Sequence, residues 1–531
     1  MAGLQQVLVA GGWRDAVAPA GEFRARDPSS GEAIGGAFPV SGHGEVEAAV
    51  AAATAVAEAF SAADPARIAA FLDGYADGIE AGAEALVALA HAETGLPASP
   101  RLRDVELPRT TGQLRQAARA VRDWSWAHPV VDTATGLRAT FGPLGKPVVV
   151  FGPNNFPFAF NAIAGSDFAS AIAARNPVIA KVHPLHPGTS QALGRIAHAA
   201  LLAAGLPAGA IQLLYHVEPS ATPLLVGNAA IGGVGFTGSR AGGLALKALA
   251  DAAGVPFYAE MSSINPVFLL DGALAERGAA LAQEFFASCT MGSGQFCTNP
   301  GVLVVPRSEA GDAFVAAAAA RFDAAPAQAL FSDDGRRHLG DALDALLAAG
   351  AERVAGAADP DRSGWWVQPS LLSVDGERFL ADPQRLQGEA FGPASLVVRS
   401  DDAAQTQAIA RAFEGNLTAT LYRAGDGRDD AQAAALIPLL RPRVGRLIVD
   451  RMPTGVAVSP AQNHGGPYPA TSHPGFTSVG MPGAIRRFAA LHSYDNVPDA
   501  LLPDVLRDRN PGGVWRLVDG QWRTDDVGAG T

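Results

Sequence analysis

The chain has 531 residues, 48% of them hydrophobic and 17% charged, with a net charge of −12 and two cysteines. That length allows roughly three domains of about 150 residues, and the composition describes a folded protein with a large core, not a disordered one. The acidic balance, with no basic run of five or more, speaks against a nucleic-acid surface; no apolar run is long enough for a bilayer span; and two cysteines make no disulfide framework.

The opening "MAGLQQVLVAGGWRDA" lacks the basic segment of a secretory signal. A reducing, cytoplasmic setting is therefore expected, in which a thiol stays free. Residues 43–95 are Ala-rich, with apolar positions recurring at three and four, and predict a pair of amphipathic helices broken near Pro65. From residue 146 the pattern alternates between strand and helix. "KPVVVFG" predicts a strand and "NFPFAFNAIAGSDFASAIAARN" a helix; "PVIAKVHP" predicts the next strand and "TSQALGRIAHAALLAAGLP" the next helix. "AIQLLYHV", "IGGVGFTG" and "PFYAEM" continue as strands, with helices at "PLLVGN" and "AGGLALKALADAAG" between them. Such alternation predicts a parallel sheet covered on both faces, with ligands beyond the carboxyl ends of its strands. A second mixed region runs from about 261 to 455, and the last eighty residues are rich in Gly, Pro, His and aromatics, with a strand or two expected.

Several motifs fall on the expected ligand edge, each with two readings. Gly233-x-Gly235-x-x-Gly238 has the dinucleotide spacing, with Glu260 about twenty residues on. It does not open the first strand–helix unit, so it supports only that Gly238 and Ser239 stand at a helix N-terminus, as a phosphate site or a plain cap. Glu260, at a strand end, reads as a salt-bridged structural residue or as a general base whose pKa is raised by apolar neighbours. The asparagines of "VVVFGPNNFPF" read as N-caps or as oxyanion donors. Cys297 sits in the loop "GSGQFCTNPG", whereas Cys289 closes an apolar helix in "EFFASCTMG". A Cys–His nucleophile needs a histidine base, and none of the 11 histidines is near Cys297 in sequence. No Cys/His cluster has zinc spacing, so no metal site is expected.

Six motifs in order, "GPNNFP" (152–157), "AKVHP" (180–184), "GFTGS" (235–239), "AEMSSINP" (259–266), "GQFC" (294–297) and "GEAFGP" (388–393), resemble the aldehyde dehydrogenase superfamily over essentially the whole chain. "KVHPLHPGTS", "HGGPYPATSHPGFTSVG", "PDALLP" and "NPGGVWRLVDG" are similar to the branch of α-ketoglutarate semialdehyde and NADP-dependent fatty-aldehyde dehydrogenases. The resemblance implies that Cys297 is the nucleophile, Glu260 the general base and Asn155 the oxyanion donor, with Asn154 in place of the usual tryptophan. It also implies Lys181 at the adenosine ribose, Gly238 and Ser239 at the pyrophosphate, and Glu389 at the nicotinamide ribose with Phe391 lining that site. Phe156, Phe296 and Thr298 match substrate-tunnel positions, and Arg109, on a helix that borders the tunnel in the family, is a candidate anchor for an anionic substrate.

Two further departures from the family pattern matter. Pro184 replaces the glutamate that grips a ribose diol in many NAD-preferring members, and His183 and His186 lie nearby, so NADP is expected, with NAD possible. Ser262-Ser263 replaces a glycine pair after the base. The implied reaction is oxidation of α-ketoglutarate semialdehyde (2,5-dioxopentanoate) to 2-oxoglutarate through a thiohemiacetal and a thioester. A medium- or long-chain aliphatic aldehyde is the alternative substrate, and a cysteine hydrolase or acyltransferase the alternative of another class. The implied fold is α/β in three parts. These are a parallel-sheet cofactor-binding domain (1–126 and 146–260), an α/β catalytic domain (261–455) and a small β oligomerisation element (127–145 and 483–505), with a C-terminal extension at 506–531. The expected partners are a small aldehyde and a second or further copy of the chain, as homodimer or homotetramer, with no nucleic acid or membrane.

Overall fold

The structure is a computed structural model that describes residues 3–356 and 360–528; residues 1–2, 357–359 and 529–531, which fall at the ends of or within the expected parts, lie outside the described residues. Two seven-stranded sheets dominate it. In the first, Phe257–Glu260, Gly233–Thr237, Val148–Phe151, Val178–Lys181 and Ile211–Leu214 lie side by side in that order, all parallel. The hairpin Val7–Val9 and Gly12–Arg14 adds antiparallel at the far edge. The strands are short and their apolar residues almost wholly buried, as expected of a sheet with both faces covered. After Val148–Phe151 the chain first builds outward to one side and then returns to the other, so a switch point lies beside this strand. The strand ends there and the loops that follow them carry Asn155, Lys181, Ser239 and Glu260, and such a crevice is the preferred ligand position of an open α/β sheet.

The second sheet runs Glu352–Ala355, Ser370–Asp375, Ala394–Ser400, Val302–Pro306, Val267–Leu269, Asn416–Tyr422, Val444–Val449, parallel except for its first pair. The loop carrying Cys297 lies just before the Val302–Pro306 strand.

Three expectations differ from what is observed. The Ala-rich stretch forms four helices, His43–Ala55, Ala57–Ser61, Pro65–Ala81 and Ala83–Thr94; Pro65 begins the third, capped by Asp64, which accepts from the Ala66 N–H. The helix expected from residue 155 begins only at Ser166. The preceding segment is irregular because side chains take up its main-chain groups: Glu106 accepts from the Phe158 and Ala159 N–H groups, and Asn161 Nδ2 donates to the Pro157 carbonyl. Gly165 closes the turn so tightly that a Cβ there would meet Phe160 Cα at 2.5 Å.

The third difference concerns the small sheet, which has five strands, Ala489–Asp495, Leu137–Pro143, Val130–Asp132, Arg516–Val518 and Gln521–Arg523. Residues 506–531, expected as a separate extension, contribute two of them. Conversely Gly483–Phe488, expected within this element, is a short helical turn whose Ala484, Ile485 and Phe488 join the core of the first sheet. The extension is anchored by Arg516, 1% exposed, whose guanidinium donates to the main-chain carbonyls of Arg507, Asp508 and Asp525. No described helix is long and apolar enough to cross a membrane.

Candidate active site

Glu260 ends the edge strand of the first sheet, 5% exposed. Cys297 follows the helix Asp271–Thr290 and a tight turn in which Gly292, Ser293 and Gly294 all have positive φ. At Gly294, φ +68°, a Cβ would lie 2.1 Å from the Gly392 carbonyl group, so only glycine lets the "GQFC" loop meet the "GEAFGP" loop. Asn265 Nδ2 donates to the Cys297 and Asn299 carbonyls at 2.8 and 2.9 Å, which holds the loop on both sides of the thiol. Asn155 Nδ2 donates to the Gln295 carbonyl at 2.9 Å, two residues before the cysteine. One of the two N–H groups of that amide is thereby engaged and the other is left for a further acceptor. The three residues expected to act together are thus brought to one place.

A fourth residue joins them that sequence reading did not assign. His464 Nε2 lies 2.9 Å from Glu260 Oε1 and 3.4 Å from Cys297 Sγ. It is 2% exposed, and its ring is 5.8 Å from that of Phe160. The available signal was its segment, "QNHGGPYPATSHPGF", which is dense in His and Gly; a separation of 167 residues from Cys297 hid the contact. The segment returns to the site because Thr471 bridges to Glu260 and Ser478 Oγ donates to Glu260 Oε2 at 2.8 Å. Glu260, Cys297 and His464 offer ligand-type atoms all within 4.8 Å of one another, a proximity that hydrogen bonding among them already accounts for.

The electrostatics invert one expectation. Burial disfavours the Glu260 charge, but attraction to His464 and hydrogen bonds from His464, Ser478 and Cys297 outweigh it. Its pKa is held below the ordinary carboxylate value instead of raised. An ionised carboxylate only accepts, so the imidazole proton is assigned to Nε2, directed at Glu260. Burial, reinforced by the Glu260 charge, pushes the Cys297 thiol well above its ordinary value, with Arg109 opposing. Cys289 is fully buried in the core and pushed up to about 12 by burial.

Beside the thiol stands an aromatic wall. Phe156 meets Phe296 at 5.4 Å and Phe160 at 5.1 Å, both edge-on, with Val479 in the same cluster. Arg109 lies over Phe156 and Phe160, 5.6 and 5.1 Å from their centroids. Its Nε and Nη2 are buried without a hydrogen-bond partner among the described residues. Burial lowers its pKa, while Glu106, Cys297 and Glu260 draw it back up. Thr298 is fully buried and accepts from the Gly455 N–H, so its hydroxyl ties down the 453–455 loop.

The expected cofactor residues lie along the crevice. Ser239 caps the 13-residue helix Arg240–Ala252 through the Gly242 N–H, and Gly238 and Ser239 are both exposed at its N-terminus, where an anion is favoured. Burial draws the Lys181 pKa down to about 8, and no carboxylate pairs with it among the described residues. His183 is pushed well down by burial and by Lys181, His186 and His216. His186 is fully buried with Nε2 3.0 Å from the Pro153 carbonyl, so it braces the Asn155 loop. Glu389 accepts from the Ser263 N–H at 3.2 Å, its pKa raised by burial. Phe391 is partly exposed next to Gly392. The exposed helix N-terminus at Gly238 and Ser239, with Lys181 beside it in the crevice, suits the anionic pyrophosphate of a dinucleotide.

Residues 13–466 match the aldehyde dehydrogenase family. An "Alpha-ketoglutaric semialdehyde dehydrogenase 2" of Azospirillum brasilense is 43% identical over 514 residues, 94% of this chain and 96% of that one. An "Alpha-ketoglutaric semialdehyde dehydrogenase" of Acinetobacter baylyi is 39% identical over 449 residues, 82% and 83% of the two chains. Among solved structures, PnpE from Pseudomonas sp. WBC-3 superposes with a TM-score of 0.78 at 22% identity, covering 92% of this chain and 97% of that one. A gamma-glutamyl-gamma-aminobutyraldehyde dehydrogenase from Burkholderia cenocepacia gives 0.78 at 21% identity, covering 93% and 97%. With the family match spanning most of the chain, this protein belongs to the aldehyde dehydrogenase family and is an NAD(P)-dependent aldehyde dehydrogenase.

Proposed function

We propose that this enzyme oxidises 2,5-dioxopentanoate (α-ketoglutarate semialdehyde) to 2-oxoglutarate, with NADP preferred over NAD. The observation that carries the substrate is Arg109: a guanidinium beside the thiol, with two buried N–H-bearing nitrogens unpartnered among the described residues, suits the distal carboxylate of an anionic aldehyde. Two relatives, 43% and 39% identical, carry the name of that semialdehyde's dehydrogenase. NADP is supported by Lys181 and His183 at the strand end, with Pro184 where a ribose-gripping carboxylate would exclude a second phosphate.

In the proposed reaction Cys297 Sγ bonds to the aldehyde carbon as its proton passes to Glu260. The resulting oxyanion is received by the free N–H of the Asn155 amide and the Cys297 main-chain N–H. The nicotinamide, when bound, supplies the hydride acceptor, and the acyl group remains on sulfur as a thioester. Glu260 must shed the thiol proton to solvent before it can take one from water, while the His464 Nε2–H, 2.9 Å away, holds the carboxylate in place. Water then attacks the acyl carbon, the C–S bond breaks, and the acid leaves. Phe156, Phe160 and Phe296 would line the route of the carbon chain. That apolar wall is the observation favouring the second reading, an aliphatic aldehyde of medium or long chain. We place the reaction in the cytoplasm and in a homodimer or homotetramer, with the small five-stranded sheet as the oligomerisation element.

Comparing turnover of 2,5-dioxopentanoate with octanal tests the substrate, since a preference for octanal of about tenfold or more reverses the assignment. Arg109→Met is expected to raise the Michaelis constant for the dioxo acid by about 10- to 100-fold, the range of a charge-assisted hydrogen bond, and to leave that for octanal unchanged.

A further inference from the structure

The irregular segment 155–159 carries the oxyanion donor of the proposed reaction, yet no helix or strand holds it. A buried ion pair does. Glu106, 1% exposed, accepts from the Phe158 and Ala159 N–H groups through Oε1 at 2.8 and 3.0 Å, and from Arg101 Nη1 through Oε2. Arg101 Nη2 donates in turn to the Asn155 carbonyl at 3.3 Å. The same guanidinium lies over the ring of Phe156 at 4.6 Å and that of Phe296 at 5.3 Å. One carboxylate–guanidinium pair therefore grips the segment at residues 155, 156, 158 and 159, and touches Phe296 next to the thiol.

The two arginines at the site differ in kind. Arg101 has its charge met by Glu106 at bonding distance, whereas Arg109 has no bonded carboxylate among the described residues. A compensated, hydrogen-bonded guanidinium fixes geometry; an uncompensated one attracts an anion.

We propose that Arg101 and Glu106 are positioning residues for Asn155, which set the oxyanion donor against Cys297 for every aldehyde, while discrimination in favour of anionic chains is left to Arg109. This rests on the reading of Asn155 as oxyanion donor. A displacement of about 1 Å in such a donor costs catalysis heavily without any change in what the pocket recognises.

The test is a double-mutant cycle in the full-length enzyme with NADP, using butanal and 2,5-dioxopentanoate. Arg101→Met, which keeps an apolar stem against the two rings, is expected to lower kcat by about tenfold or more, by the same factor for both aldehydes, with NADP affinity unchanged. In an Asn155→Ala background the same change should cost nothing further, because its effect passes through Asn155. Arg101→Lys keeps the ion pair but cannot donate to Glu106 and Asn155 in one plane; it should show the same kcat loss at unchanged thermal stability, and it carries the test should the Met variant fail to fold. Multiplicative losses in the double variant, or a loss confined to the dioxo acid, overturn the proposal while leaving the oxyanion role intact. Full activity of Asn155→Ala alone instead overturns the oxyanion reading, and the proposal with it.

Discussion

Replacing Glu260 by Gln is expected to make Cys297 more reactive towards an alkylating agent even as it abolishes turnover. The thiol is held protonated by burial and by the adjacent carboxylate charge. The reacting atoms of Cys297, Glu260 and His464 all lie within 4.8 Å. At that separation, with an effective dielectric constant of about 20, two unit charges interact by about 3 kcal/mol, and each 1.36 kcal/mol is tenfold in thiolate population. Glutamine keeps the shape and an acceptor oxygen but removes the charge. The alkylation rate by iodoacetamide at fixed neutral pH should therefore rise on the order of 10- to 100-fold. The readout is mass-spectrometric labelling of Cys297. Cys289 is an internal control, being fully buried and pushed up to about 12. The direction separates this reasoning from its opposite: were Glu260 acting mainly by drawing the proton off the resting thiol, labelling would slow in the Gln variant. A rate that falls, or does not change, refutes the electrostatic account of the site.

Three further perturbations have defined outcomes. Because the folded Glu260 pKa is depressed, the carboxylate's contribution to stability is present above the unfolded value and lost as pH falls through the folded one. Ser478→Ala, which removes one of its donors, should shift the acid limb of kcat/KM to higher pH, and an unmoved limb would show that Glu260 does not control it. Lys181 loses its charge near pH 8, its pKa lowered to about that value by burial. NADP affinity measured without substrate should weaken as pH rises through that region while NAD affinity changes much less; parallel profiles would remove Lys181 from the phosphate site. Arg516→Met leaves three main-chain carbonyls without their donor, at a cost of about 2–4 kcal/mol. A urea midpoint within error of the parent would show that the final two strands are not anchored there.

The parallel sheet could be read from the chain because its strands are continuous apolar runs that alternate with helical ones, a pattern set by local burial. The ends of those runs also gave the positions of Asn155, Lys181, Ser239 and Glu260, since an open sheet exposes its loops only there. The irregular stretch before Ser166 departs from the expected helix for a complementary reason. Its periodicity is helical, but its N–H groups are claimed by Glu106, some fifty residues earlier, and no local rule registers a competitor at that distance. The place of Arg516–Val518 and Gln521–Arg523 in the small sheet is hidden likewise, because short alternating segments do not announce which sheet they will join.

His464 makes the same point about chemistry. A histidine beside a cysteine is sought nearby in sequence only by habit; what places one is a surface that must be covered. The edge of the first sheet ends at Phe257–Glu260 with no further strand beyond it among the described residues, and such an edge needs a partner. The segment 464–478 supplies it: Ser472 Oγ donates to the Phe257 carbonyl and accepts from the Ala259 N–H, while the Ser472 N–H donates to the Ala259 carbonyl. Covering the edge at those residues brings the start of the segment over Glu260, and His464 with it. The histidine therefore reaches the thiol as a consequence of closing a sheet edge, and loosening that cover should act on chemistry before stability. Ser472→Ala is expected to lower kcat by a few-fold to about tenfold, as the loss of one hydrogen bond allows, with the thermal midpoint nearly unchanged. The comparison that decides it is Ser472→Ala in a His464→Ala background, where no additional loss should appear. An equal loss in both backgrounds would mean that the cover does not deliver the imidazole.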